Sequence, residues 1–308
     1  MPETPTVPWR HLLVTTDLSQ EAEPALAAAA ALARRSSARV TVLNVLDWSS
    51  LGDAWVLRES LVRLERQWRV EIGPRLTELC KRIFKDVPLE LAMVEGTGVA
   101  ATICRYAAEH ALDLIVIATH GRTGTGRFLI GSVTERVVQT APCDVIVVRS
   151  HTAAAESAAS LEIRTILVPT DFSPCAERAL ERAVQLAKLT QAKVQLLHAY
   201  QIPTAIGVAD VPIALPQSFY DGIRETGDRA LRERVARVAS EGVTVEGLLA
   251  CDTHAHAILD AAGKTHADLI VMGTHGWTGM KHVLLGSVAE RTVRLAPCAV
   301  LTVRATGS

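Results

Sequence analysis

Aromatic residues are nearly absent. Phe, Trp and Tyr make up 4% of the 308 residues, whereas hydrophobic residues as a whole make up 49%. The core must therefore be built from Ala, Val, Leu and Ile. An excess of either charge is also missing: 32 Lys and Arg stand against 33 Asp and Glu, a formal net charge of −1. The balance holds locally, with 17 basic and 17 acidic side chains in the first 155 residues and 15 and 16 in the rest. Neither half is a basic nucleic-acid module. No apolar run reaches the ~18 residues of a membrane span. The first residues, MPETPTVPWR, hold no basic segment followed by an apolar one. A secretory signal is thus not expected, and the expected location is the cytoplasm. Cys80, Cys104, Cys143, Cys175, Cys251 and Cys298 form no CxxC pair and no zinc-finger spacing with His, so buried free thiols are expected. Gly at 19 and Pro at 13 are ordinary counts, which excludes collagen-like and low-complexity chains.

What the chain does have is a second copy of itself. Residues 119–149 and 274–304 are identical at 18 of 31 aligned positions without a gap, and RHLLVTTDLS (10–19) matches RTILVPTDFS (164–173). A period of about 155 residues is too long for a solenoid. It marks duplication of a whole domain: 1–150, a linker over 151–162, and 163–308. The small, polar run SHTAAAESAASL (150–161) fits the linker.

Each copy alternates short apolar strands with helical stretches. In the first copy strands are expected at 12–16, 39–46, 89–96, 113–119 and 144–149. Helices are expected over 22–35, 56–84 (with a possible break at Gly73-Pro74), 99–110 and from Ser132. Ser19 is a candidate cap for the first of them. The second copy repeats the series, with strands at 165–169, 193–200, 243–250, 268–274 and 299–304. Alternation of this kind implies right-handed crossovers and a mostly parallel sheet. Ligands of such sheets sit beyond the carboxyl ends of the strands.

Two post-strand segments stand out. After the first strand comes Thr-Asp-(Leu/Phe)-Ser, placing Asp17 and Asp171 at the candidate site. After the fourth comes a glycine loop: Gly273-Thr-His-Gly276, nine residues, then Gly286-Ser287. The first copy has Ala118-Thr-His-Gly121, nine residues, then Gly131-Ser132. Eight of the 19 glycines fall in the windows 118–131 and 273–286. Glycine lets a backbone approach a ligand closely. Consecutive N–H groups form a nest for phosphate oxygens, and a helix start adds donors and the positive dipole end. The competing reading is a plain turn followed by a capped helix. Neither GxxxxGK[ST] nor a GxGxxG after the first strand is present. His254 and His256, with Cys251 and Asp252 nearby, suggest a metal site only weakly, because Val99 and Ala101 stand at the matching positions; no metal ligands are assigned. The Pro-rich, apolar stretch 201–219 is expected to cover the second site or to form a contact surface.

GxxG, nine residues, then Gly-Ser, with the early Thr-Asp-(Phe/Leu)-Ser, resembles the universal stress protein family in both copies. The resemblance implies two tandem open five-stranded parallel sheets in the order 3-2-1-4-5, with helices on both faces, adenine-nucleotide alpha-hydrolase-like. It implies ATP, with or without Mg2+, held between the first and fourth strands. It places the nucleotide on Asp17, Val45, Gly121, Gly131, Ser132 and Val133 in one copy. In the other it names Asp171, Ala199, Gly273, Gly276, Gly286, Ser287 and Val288. Val45 and Ala199 would meet adenine through their backbone. Ala118 departs from the motif. At a position needing positive φ alanine would cost roughly 1–2 kcal/mol; at one needing only a small side chain it would cost little. The implied role is a stress-response or signalling module with unidentified protein partners. A slow ATPase or nucleotide-transferring enzyme, or a scaffold without nucleotide, is the alternative. Catalytic residues are not assigned. The two copies are expected to pair through their last strands, VIVVR and VLTVR, which would otherwise be open apolar edges. A homodimer of the chain is left open.

Overall fold

The computed structural model describes residues 9–49, 58–119, 130–149, 163–201, 206–208, 211–213, 216–276 and 285–304. In the first half the order is β1 (His11–Thr15), α1 (Glu23–Ser36), β2 (Arg39–Asp47), α2 (Arg58–Phe84), β3 (Leu89–Gly96), α3 (Val99–Glu109), β4 (Leu114–Ala118), α4 (Ser132–Thr140) and β5 (Asp144–Val148). The second half runs β6 (Thr165–Pro169), α5 (Pro174–Thr190), β7 (Lys193–Tyr200), a hairpin of β8 (Ile206–Val208) and β9 (Val211–Ile213), and α6 (Gln217–Ser240). It continues with β10 (Val245–Cys251), α7 (His254–Lys264), β11 (Leu269–Gly273), α8 (Ser287–Leu295) and β12 (Ala299–Val303).

Each half has the strand order 3-2-1-4-5, but the expected two separate sheets are one. A single mixed ten-stranded sheet runs β10-β7-β6-β11-β12-β5-β4-β1-β2-β3. All neighbours within a half are parallel, whereas β12 and β5 are antiparallel, with Leu301 opposite Ile146. The physical reason is burial. Both last strands are apolar on both faces, and each would leave an unpaired edge if the halves stood apart.

Alternate residues along every strand feed opposite faces of the sheet. One core holds Leu12, Val14, Ile146, Ile166 and Leu301 under α1, α2, α5 and α6. The other holds Leu13, Val145, Leu167 and Val300 under α3, α4, α7 and α8. Both cores cross the seam. Alanine at six of the nine buried positions of α1 lets that helix lie close to the sheet. Among the described residues no helix is long and apolar enough to cross a membrane.

The seam is also polar. Asp144 is buried at 6% exposure. Its Oδ2 accepts from Trp9 Nε1 at 3.0 Å and from Arg182 Nε at 3.1 Å, and its Oδ1 accepts from the Arg304 N–H at 3.1 Å. Arg182 and Arg304 belong to the second half. The guanidinium of Arg304 reaches the Val138 carbonyl at the end of α4 at 3.0 Å, and Arg149 reaches the Val293 carbonyl of α8 at 3.0 Å. Arg149 and Arg304 are thus a reciprocal pair, each clasping the last turn of a helix in the opposite half.

Two local expectations need correction. The helix α2 continues through Pro74 without a break. Proline removes the bond to the carbonyl of Val70, which lies on the exposed side of the helix and is open to solvent. Ser19 makes no side-chain cap. Pro24 cannot donate to the residue four back, so the first turn is a short 3-10 turn over Gln20–Ala22 and the α-helix starts at Glu23. In the second half proline sits at the first helical position instead, and Ser173 caps α5 by accepting from Ala176 N–H at 3.2 Å. Replacement of Asp144 by Ala is expected to cost about 3 kcal/mol of stability, because it strands the buried Trp9 donor, the Arg304 backbone N–H and the half-buried Arg182 guanidinium. Denaturant unfolding of D144A against the parent chain measures it.

Candidate functional site

The site begins where the first strand of each half leaves the sheet. Thr16 N–H still donates to Leu43 O at 3.0 Å, and Thr170 N–H to Leu197 O at 2.8 Å. The chain then turns away. Leu18 and Phe172 both have positive φ, 64° and 63°. Neither is glycine, so the left-handed backbone must be held by its neighbours. The Thr16 hydroxyl accepts from Leu18 N–H and the Thr170 hydroxyl from Phe172 N–H, each at 3.0 Å. Oδ1 of Asp17 accepts from Ser19 N–H and that of Asp171 from Ser173 N–H, again at 3.0 Å. The aspartates are thereby fixed at the mouth of the crevice.

That turn interrupts a ladder. In a parallel pair the carbonyls of Thr16 and Thr170 would next accept from Val45 and Ala199 N–H. Instead Asn44 Nδ2 donates to Thr16 O at 2.7 Å, and His198 Nδ1 is 3.0 Å from Thr170 O. The N–H and C=O of Val45 and Ala199 therefore point into the space that the first strand has left. A donor and an acceptor side by side form a recognition edge for a planar, complementary group.

Across the crevice lie the starts of α4 and α8. Gly131 and Gly286 are their caps, both extended with ψ of 145° and 147°. Their N–H groups are not available to a ligand: Gly131 donates to Thr119 O at 2.7 Å and Gly286 to Thr274 O at 2.8 Å. The donors left over are those of the first helical turn, Ser132 to Thr134 and Ser287 to Ala289, which have no intrahelical acceptor. The two tie-backs close the glycine loop at its base and aim these donors at the end of the sheet.

The structure brings the named residues together in two crevices. Asp17, Val45, Gly131, Ser132 and Val133 line one of about 240 Å³, with Leu43, Val99, Ile103 and Ile117 as apolar walls. Asp171, Ala199, Gly273, Gly276, Gly286, Ser287 and Val288 line the other, of about 420 Å³, with Leu197, Ile258 and Met272. Gly121 lies outside the described residues, as do His120, Arg122, Arg127, Trp277 and Lys281. Sequence reasoning missed Thr16 and Thr170, although their identity at matching positions was a usable signal. It missed Asn44 and His198 because they differ between copies while holding equivalent carbonyls.

The Ala118 question is settled by backbone and packing. Gly273 does not have positive φ. A Cβ there would sit 2.7 Å from Cys175 Sγ and 3.1 Å from the Cys175 carbonyl carbon. Glycine is needed because α5 begins at Pro174 and presses Cys175 against β11. In the first half the helix starts later, so Ala118 fits without strain and its carbonyl accepts from the Thr134 hydroxyl at 2.7 Å. At Gly276 a Cβ would run into Asp171 Oδ2, so this glycine is what lets the aspartate lie under the loop.

The remaining candidates are peripheral. His256 pairs with Asp252 on the surface, and among the described residues no group of three or more His, Cys, Asp and Glu could hold a metal ion. All six cysteines are free, but of the expected buried thiols only Cys80, Cys175 and Cys298 are buried; Cys104 and Cys143 are half-buried and Cys251 is exposed. Burial pushes the Cys80 thiol up to about 11 and those of Cys143 and Cys298 up to about 12.

G273A is expected to destabilise the chain by about 1–3 kcal/mol through the clash with Cys175. Its counterpart A118G is expected to cost less than 1 kcal/mol. Unfolding midpoints of the two variants test the difference, and equal losses would contradict the packing explanation.

A family model described as the universal stress protein family matches residues 8–149 and 162–304. The universal stress protein YxiE of Bacillus subtilis is 34% identical over 145 residues, 45% of this chain and 97% of its own length. A universal stress protein of Methanocaldococcus jannaschii is 36% identical over 143 residues, 46% of this chain and 82% of its own. Among solved structures, a universal stress protein from Archaeoglobus fulgidus superposes with a TM-score of 0.67 over 96% of this chain and 98% of that one, at 22% identity. That last likeness concerns the fold alone. With matches over nearly the whole of both halves, the chain belongs to the universal stress protein family and carries two universal stress protein domains in tandem.

Proposed function

We propose that each half binds an adenine nucleotide, ATP in the first instance, and that occupancy sets the surface offered to protein partners. The observation that carries this reading is the same in both halves. First-turn N–H donors of α4 or α8 face the unpaired backbone edge of Val45 or Ala199 across one crevice, with an aspartate between them. Phosphate oxygens suit the first group: free N–H donors, the positive end of the helix dipole and the Ser132 or Ser287 hydroxyl converge there. Adenine suits the second, since its N1 acceptor and N6 donor match an adjacent N–H and C=O. The apolar walls take the faces of the ring. Asp17 and Asp171 stand where a ribose hydroxyl or a Mg2+ ion would lie. One carboxylate is enough for Mg2+ on a polyphosphate, because the ion draws its other ligands from phosphate and water.

Among the described residues no Lys or Arg lines either crevice. Charge on the phosphates would be met there by backbone N–H groups and the helix dipole, which need no net positive charge.

The test deletes a backbone donor without deleting the helix. Ser287 is the first helical residue, and Gly286 before it is extended at ψ 147°, a conformation that a following proline accepts. S287P therefore removes one N–H and the hydroxyl, whereas S287A removes the hydroxyl alone. Calorimetric titration with ATP should show two sites in the parent chain. S287P is expected to weaken the second by tenfold or more and S287A by less. Failure of the parent chain to bind any nucleotide would overturn the proposal.

A further inference from the structure

The two crevices share their backbone but not their far wall. Val99, the first residue of α3, lines the crevice of the first half. The matching residue of the second half is His254, the first residue of α7, and it lines the larger crevice. The neighbouring imidazole, His256, is engaged by Asp252. Among the described residues His254 has no partner, and its side chain is exposed at the crevice mouth.

Its place in the sheet fixes which part of a ligand it meets. The C-terminal ends run in the order β7, β6, β11 across the crevice. The phosphate-binding donors of α8 stand beyond β11, and the recognition edge of Ala199 lies on β7. Two strand spacings, about 10 Å, separate them, roughly the span from base to phosphate in a nucleotide. α7 enters from β10, the strand beside β7, and packs Ala257 and Ile258 into the same core as Leu197 and Ala199. His254 thus stands at the β7 end, opposite the phosphate end.

We infer that His254 is a specificity-determining residue of the second site, reading the edge of the base that the Ala199 backbone leaves uncovered. The inference rests on the nucleotide reading above. Among the described residues, the first site, with Val99 at this point, offers a base shape and the Val45 backbone. The second adds an imidazole, which supplies one donor and one acceptor. A base with the right pattern gains one more hydrogen bond there, and a base with the wrong one forgoes it. The two tandem sites therefore differ in selectivity: the second discriminates adenine from guanine nucleotides more sharply than the first.

The experiment is a reciprocal exchange, H254V and V99H, each titrated with ATP and GTP by calorimetry on the full chain. The His254 ring protons are followed by NMR in parallel, assigned by their loss in H254V. In the parent chain the His254 resonance is expected to shift saturably with ATP. H254V is expected to lose about tenfold in ATP affinity at the second site, the worth of one hydrogen bond, and with it that site's excess preference for ATP over GTP. V99H is expected to gain such a preference at the first site. Nucleotide binding with an unmoved His254 resonance, or an unchanged ATP-to-GTP ratio in H254V, overturns this inference and leaves the nucleotide reading standing. Absence of binding in the parent chain overturns the nucleotide reading itself.

Discussion

Every feature of the two crevices depends on one backbone event, the departure of β1 and β6 from the sheet one residue before the aspartate. A parallel ladder offers each carbonyl to the strand beside it, and here the offer is withdrawn at Thr16 and Thr170. The turn that follows places a non-glycine residue, Leu18 or Phe172, in the left-handed region, a strain of order 1–3 kcal/mol. Threonine hydroxyl and aspartate carboxylate hold that turn together by accepting from the two N–H groups after it. The orphaned carbonyls are taken up by Asn44 and by His198. What remains unpaired is the edge of Val45 and Ala199. The strain, the side-chain substitutes and the recognition edge are parts of one solution to one problem: opening a sheet at its switch point without leaving buried polar groups unmatched.

The duplicated halves show which parts of that solution admit no change. Backbone geometry is repeated closely: the φ values after each aspartate agree, both helix caps are extended glycines, and both caps donate to the threonine after the fourth strand. Side chains that merely fill or support have drifted. Asn44 stands for His198, Ala118 for Gly273, and a 3-10 turn for a capped helix start. The last two changes are linked. Where α5 begins early, Cys175 demands glycine on the strand beside it; where α1 begins late, alanine is tolerated and is met by Thr134. A departure from the motif thus marks a compensated change in the first turn of a neighbouring helix.

Much of this was legible in the sequence. Continuous apolar runs such as DLIVIA identify central strands because both faces are covered, and the repeat identified the two halves. The post-strand loops identified the crevice lining, down to Asp17 and Ser287. Other parts were not legible for definite reasons. Whether Gly131 donates to a ligand or to Thr119 is decided by loop closure, which spacing does not encode. A proline at Pro74 reads as a break until the solvent exposure of that helix is known. Whether apolar final strands join two sheets into one depends on contacts between halves, and the Asp144 cluster that accompanies them has no repeat signature, since Ala299 occupies the matching position. Asn44 and His198 share a role and no chemistry that a pattern would match.

The joining of the sheets bears on the crevices themselves. Helices α4 and α8 are only nine residues long, and their first turns must hold N–H donors steady without help from side-chain caps. Each is fixed at both ends by something outside itself. At the start, the glycine cap is tied to Thr119 or Thr274. At the end, the last carbonyls receive an arginine from the opposite half, Arg304 on α4 and Arg149 on α8. A cation at a helix C-terminus and an anion at its N-terminus are both favoured by the same dipole. The reciprocal arginines therefore complete, from across the seam, the electrostatic arrangement that a phosphate would meet at the other end. A half standing alone would lack that arginine and would expose its apolar last strand. The tandem arrangement supplies both from within one chain, which is why the seam belongs to the description of the sites and not only to that of the fold.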